Sequence, residues 1–175
     1  MRKLQIEKIE EWYDQLVAGE QILLSGTIYT ARDAVHKRFF EAIRRGDSLP
    51  IPLIGTALYY AGPTPAKDDL PIGSCGPTTS SRMDPYVPAL TSMGLRCTIG
   101  KGDRSQEVYK ALEEHGGIYL CAIGGAGALY ARSITSCEVV AYEELGCESI
   151  KKLTVKDFPL FVGIDSKGNS IFQKK

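Results

Sequence analysis

Several short segments set cations and hydroxyls beside glycine or proline, where side chains meet a small anion more readily than a core. The richest is Gly73 to Asp84, Gly-Ser-Cys-Gly-Pro-Thr-Thr-Ser-Ser-Arg-Met-Asp. Pro77 sets φ and Gly76 permits a tight turn, Thr78 to Ser81 suit a helix entrance, and Arg82 follows about one turn later. Free N–H groups, hydroxyls and a guanidinium together attract a carboxylate or a phosphate. Arg32 opens a helical pattern that runs to Arg45, and His36, four residues on, shares its face. Lys101 and Arg104 stand in Gly100-Lys101-Gly102-Asp103-Arg104. Arg32, Arg82, Lys101 and Arg104 thus supply four cations on turns or helix starts, which suits a small substrate with more than one carboxylate. Taken singly, each reads first as a solvated surface charge, and only the set points to a site. Thr78 either caps a helix, holds a substrate oxygen or relays a proton. His36 either acts as a general acid or base near neutrality or orients Arg32 or Asp33.

Other chemistries find no support. There is no serine-protease triad, no metal-ligand cluster and no Walker loop, and Gly124-Gly125-Ala126-Gly127-Ala128 lacks the full dinucleotide pattern. That loop reads instead as backbone brought close to a ligand or another chain. Five cysteines, Cys75, Cys97, Cys121, Cys137 and Cys147, are widely spaced without a C-x-x-C pair, so reduced thiols in a cytoplasmic protein are expected, as core groups rather than nucleophiles. The 21 basic and 21 acidic residues cancel, which advertises neither nucleic acid nor an acidic membrane surface as partner. The charged first residues do not form a signal peptide, and no apolar run is long enough to span a bilayer.

The elements that must carry these groups follow from periodicity. At 175 residues one domain is expected. Leu4 to Ala18 predicts an amphipathic helix, with Ile6, Ile9, Trp12, Leu16 and Val17 on its apolar face. Strands are predicted at Gln21–Ser25, Pro52–Tyr60, Leu95–Ile99, Ile118–Ile123 and Ser136–Tyr142. Helices are predicted at Arg32–Arg45, Met83–Met93, Gln106–His115 and Leu129–Ser133. A hairpin, Phe158–Ile164 and Ser170–Phe172 about a turn at Asp165–Asn169, closes the chain. The near alternation of strands and helices predicts an α/β fold with a mixed sheet, in which the loops at Thr30, Gly62, Gly73, Gly100 and Gly124 gather at the carboxyl ends of the strands.

Four ordered strings resemble a known family: Ser25 to Arg38 (Ser-Gly-Thr-Ile-Tyr-Thr-Ala-Arg-Asp-Ala-Val-His-Lys-Arg), Tyr59 to Pro65 (Tyr-Tyr-Ala-Gly-Pro-Thr-Pro), Gly76 to Asp84 and Gly100 to Arg104. They are similar to the β subunit, or C-terminal domain, of the iron–sulfur-dependent class I fumarate hydratases and L-tartrate dehydratases. The resemblance implies a swivelling β/β/α-type domain and half of a hydro-lyase acting on a small dicarboxylate. A [4Fe-4S] cluster would sit on a separate α subunit and none on this chain, and homodimerisation of the isolated chain stays open. It further implies that Arg32, Thr78, Arg82 and Lys101 contact substrate, that Thr78 takes part in proton transfer, and that His36 belongs to the same motif as Arg32. The pair Ser80-Ser81 departs from the small residues common there, which leaves fumarate/malate and tartrate/oxaloacetate both open. A stand-alone carboxylate-binding module and an interaction module with a decayed site are the competing expectations.

Overall fold

The computed structural model describes residues 1–123 and 125–173. The glycine-rich exit read at Gly124 therefore lies partly outside the described residues. Seven strands form one sheet: β1 (Arg2–Gln5), β2 (Gln21–Thr30), β3 (Ala57–Tyr59), β4 (Cys97–Gly100), β5 (Ile118–Cys121), β6 (Ile134–Ala141) and β7 (Ile150–Ile164), in the order β1-β2-β3-β4-β5-β7-β6. β1 through β5 pair in parallel. β7 runs antiparallel to β5 and β6 and also bonds β2. Because β7 takes β2 on one edge and β5 on the other, strands β2, β3, β4, β5 and β7 close into a ring. The fold is α/β with a mixed sheet, as the alternation of elements predicted.

Strands buried on both faces need apolar residues at successive positions, and β3, β4 and β5 are buried throughout. One face fills the ring with Ile22, Leu24, Ile28, Tyr59, Ile99, Leu120, Leu153, Phe158 and Val162. The other carries Tyr29, Leu58 and Tyr60 against α2 (Asp33–Arg45) and α3 (Val87–Ser92), and Tyr119 and Cys121 against α4 (Gln106–His115). Phe158, 0% exposed, stacks on Tyr130 with centroids 4.7 Å apart and meets Tyr59 edge-on at 5.5 Å. Truncating such a ring costs about 3–5 kcal/mol.

Several predicted elements differ: the strand predicted at Pro52–Tyr60 forms only at Ala57–Tyr59, the hairpin arm predicted at Ser170–Phe172 reduces to one bridge between Ile164 and Ser170, and three others change more. The helix expected over Leu4–Ala18 is divided: Arg2–Gln5 joins the free edge of β2, and only α1 (Ile9–Trp12) is α-helical, flanked by 3₁₀ turns. The periodicity chose the right inward positions, since Ile6, Ile9, Trp12 and Leu16 are buried, but Val17 is exposed. Trp12 leaves helical geometry at φ −134°, and its indole N–H donates to the Gln5 carbonyl at 2.9 Å, fixing the break. The stretch before α3 is a 3₁₀ turn, Ser80–Tyr86, rather than part of one helix, since Pro85 and Pro88 lack amide donors. The predicted closing strand is the second half of a longer one. β7 begins at Ile150, and its inward alternation shifts phase between Val155 and Phe158, at a bulge where Asp157 adopts φ +49°.

Candidate active site

The parallel strands β2 to β5 end on one side of the ring. Register aligns Thr30, Tyr59, Ile99 and Leu120 in a row. The ladder continues past it, with Ala31 N–H donating to the Tyr59 carbonyl at 2.9 Å and Tyr60 N–H to Ile99 at 2.9 Å. Arg32 and Lys101 each stand two residues beyond this row, just past the ends of the two strands that flank β3. β3 leaves the sheet after Tyr60, and the segment Thr78–Ser80 enters the gap. Thr78 N–H donates to the Tyr60 carbonyl at 2.6 Å, Thr79 bridges Lys101 in parallel, and Ser80 N–H donates to the Lys101 carbonyl at 3.0 Å. Gly100 permits this approach: a Cβ there would lie 1.9 Å from Ser80 Oγ, which instead hydrogen-bonds Tyr119 Oη at 2.8 Å.

Arg32 caps the start of α2, and its guanidinium lies beside Gly62, where a Cβ would come within 2.7 Å of Nη1 and 3.0 Å of Cδ. Its Nε is buried without a hydrogen-bond partner, 3.9 Å from Glu148 Oε1. Arg82, on the 3₁₀ turn, reaches Asp33 Oδ2 with Nη2 at 3.4 Å, next to Arg32 in the chain. Both partners of that pair are almost half exposed, so it contributes about 0–1 kcal/mol and leaves Arg82 free to turn to an anion. Lys101 is part-buried, and among the described residues no ion pair engages its amine. Among the described residues the Thr78 hydroxyl makes no hydrogen bond, and no side chain caps the turn that follows it. Arg32, Thr78, Arg82 and Lys101 are thus brought to one end of the sheet from separate parts of the chain.

Two other groups are placed differently. Arg104, grouped by sequence with the clamping cations, is an internal strut. Its Nε donates to Asp84 Oδ1 at 2.6 Å, Nη1 to Thr98 Oγ1 and Nη2 to Tyr60 Oη at 3.2 Å each, and the guanidinium lies over the Tyr119 ring at 4.6 Å. With its side chain 0% exposed and Asp84 neutralising it, Arg104 has no charge to offer a substrate. Burial alone would lower its pKa, but Tyr60, Asp84 and Tyr119 outweigh that and hold it above the ordinary arginine value. His36 does not share an exposed face with Arg32. It is 0% exposed among Phe39, Tyr60 and Tyr86, and its Nδ1–H donates to the Arg32 carbonyl at 2.8 Å. Burial pushes its pKa down to about 4, so the ring is neutral near pH 7.

A cavity of about 690 Å³ is lined by Asp84, Pro85, Pro88, Asp103, Arg104 and Glu107 among others, and Arg32, Thr78, Arg82 and Lys101 are not in its lining. Its acidic rim and the neutralised Arg104 make it a poor place for a diacid. Nor do the cysteines offer a cluster site. Cys75, Cys97 and Cys121 are buried, and burial raises the Cys75 thiol to about 12 and Cys121 to about 11. Among the described residues no three His, Cys, Asp or Glu side chains converge. The described residues of this chain therefore do not converge as ligands for an iron–sulfur cluster. Asp84 and Glu148 act on partners remote along the chain, a pairing that sequence alone does not give, whereas the Lys151 amine bonds backbone carbonyls of the turn just before it. Among the described residues no helix is long and apolar enough to cross a membrane.

The family model described as Fumarase C-terminus matches residues 1–175. The chain belongs to the Fumarase C-terminus family. Among its relatives, the anaerobic class I fumarate hydratase of Escherichia coli is 45% identical over 162 residues, covering 91% of this chain and 30% of that protein. Fumarate hydratase 2 of Leishmania major is 40% identical over 174 residues, covering 98% of this chain and 31% of that protein. The "Putative L(+)-tartrate dehydratase subunit beta" of Methanocaldococcus jannaschii is 37% identical over 166 residues, with 91% of this chain and 85% of that protein covered. This Fumarase C-terminus chain thus spans about a third of those fumarate hydratases and most of a separate β subunit.

Proposed function

We propose that this chain is the substrate-clamping β part of a hydro-lyase that reversibly adds water to, or removes it from, a small dicarboxylate: hydration of fumarate to malate first, dehydration of tartrate to oxaloacetate second. The observation that carries the reading is the gathering of Arg32, Thr78, Arg82 and Lys101 at the carboxyl ends of β2 to β4. Relatives named for fumarate hydration and tartrate dehydration support it. Hydration across a dicarboxylate double bond needs both carboxylates fixed, a proton moved at one carbon and hydroxide delivered at the next. Arg32 and Arg82 offer planar forks that bind a carboxylate in two places, and Lys101 adds a compact charge. The Thr78 hydroxyl, one bridge from Lys101, holds or passes the proton at carbon. His36 serves by fixing the Arg32 carbonyl rather than by exchanging protons. Lewis-acid chemistry at the hydroxyl belongs to a [4Fe-4S] cluster carried by an α partner, against which this domain would swivel.

The test combines this chain anaerobically with a cluster-bearing α chain and follows fumarate and L-malate by NMR. Interconversion that requires both chains is the expected result. Turnover by this chain alone without iron would contradict the reading, and so would an assembled, cluster-loaded complex inert to every small dicarboxylate.

A further inference from the structure

Lys151 is a buried cation, 8% exposed, with no carboxylate in salt-bridge contact among the described residues. Its Nζ instead donates to the carbonyls of Gly146 at 3.1 Å, Cys147 at 3.0 Å and Ser149 at 3.3 Å, and to Ser149 Oγ at 2.9 Å. An ammonium has three N–H donors, and all are spent on one turn. The same turn is fastened to the end of β2. Lys151 N–H donates to Thr30 Oγ1 at 3.0 Å, and the Thr30 hydroxyl donates to the Ser149 carbonyl at 3.3 Å, two residues before Arg32.

That turn sets two groups against Arg32. Glu148 Oε1 lies 3.9 Å from Arg32 Nε and accepts from Ala34 N–H at 3.5 Å. The Cys147 carbonyl backs Gly62, 3.5 Å from where its Cβ would be, on the residue that makes room for the guanidinium. Glu148 is therefore just outside hydrogen-bond reach of a buried Nε–H that has no partner.

We propose that Lys151 is a positioning residue for Arg32: it folds the 146–149 turn onto the end of β2, and through Glu148 the turn holds the Nε edge of Arg32 while the Nη edge stays beside Gly62 for a substrate carboxylate. The inference deepens the proposed function and rests on the role of Arg32 in it. A methionine at 151 keeps the length of the side chain but strands three carbonyls of the turn, so Glu148 loses its place.

The test reads the Arg32 Nε–H of this chain by ¹⁵N NMR, with L-malate as the titrant. In Lys151→Met the Nε–H should exchange with solvent about tenfold faster than in the parent. L-malate should bind about threefold more weakly, with the Arg82 signals unchanged. Glu148→Gln, nearly isosteric and part-exposed, should reproduce the faster exchange and decides the matter if Lys151→Met fails to fold. A merely structural lysine would lower the melting temperature and leave this exchange alone. Folded variants whose Nε–H exchange stays within about twofold of the parent overturn the proposal. A parent chain that does not bind L-malate counts against the dicarboxylate reading, whereas the exchange comparison still decides the role of Lys151.

Discussion

Replacing Asp84 by asparagine removes one charge and almost no volume from the most enclosed ion pair of the site. Asp84 Oδ1 takes the Arg104 Nε–H at 2.6 Å with side-chain exposures of 7% and 0%, and Oδ2 takes the Ser105 N–H at 2.6 Å. In the variant Arg104 keeps Thr98, the Tyr60 hydroxyl and the two tyrosine faces, none of which carries a negative charge. Breaking a buried pair by removing one partner costs about 3–5 kcal/mol, because the surviving charge is left uncompensated. The asparagine oxygen still accepts one hydrogen bond, which places Asp84→Asn near the lower figure. In a domain of this size each kcal/mol lowers Tm by about 2–4 °C, so the variant should melt roughly 6–12 °C below the parent. Thermal unfolding by circular dichroism, with urea titration as the second measure, reads it. The double variant Asp84→Leu, Arg104→Met should recover most of the loss, since an apolar pair needs no compensation. A Tm within about 2 °C of the parent for Asp84→Asn would refute the strut and return Arg104 to the list of available cations.

Arg82→Ala and Lys101→Ala should each lower kcat/KM of the reconstituted assembly by about 2–4 kcal/mol in transition-state terms; changes under about threefold in both would remove them from the site. Thr78→Val should cut turnover while leaving the melting temperature in place, because its hydroxyl caps nothing in the fold; a fall in Tm without loss of turnover would reverse that assignment. Gly62→Ala puts a methyl 2.7 Å from Arg32 Nη1, and since the end of a flexible side chain can yield, L-malate binding should weaken roughly tenfold, about 1.4 kcal/mol, with little change in Tm. Unchanged affinity would show that Arg32 is not held there for substrate. His36 takes a proton below pH about 4 when folded and near 6.5 when unfolded. Its contribution to stability is thus complete above pH 6.5 and is lost as pH falls through 4, by about 3 kcal/mol in all. His36→Asn should flatten this limb in urea titrations, and an equally steep limb in the variant would assign it to other groups.

Much of the candidate site was legible because its residues sit in short strings beside glycine and proline, and parallel strands carry such loops to one end of a sheet. The helix Arg32–Arg45 and the strand from Ile118 showed plain periodicity and formed nearly as predicted, with Arg32 as the cap and the strand ending at Cys121. β7 was legible only from Phe158 because the bulge at Asp157 reverses which alternate residues face inward. The break in the N-terminal helix follows from pairing with β2, a contact between segments that local periodicity does not register. Arg104 looked like its neighbours Arg82 and Lys101. Only the fold brings Asp84, twenty residues earlier, against it. Glu148 was silent for the same reason, and Lys151 because its amine is spent on backbone carbonyls of the adjacent turn, which no side-chain pattern marks.

The most direct measurement is a crystal structure of this chain assembled with a cluster-bearing α chain and soaked anaerobically with L-malate. Carboxylate oxygens within hydrogen-bond reach of Arg32, Arg82 and Lys101, with the Thr78 hydroxyl facing the carbon skeleton, is the expected result. L-malate bound while those side chains stay in contact with solvent, or seated instead in the acidic cavity beside Pro85 and Pro88, would contradict it.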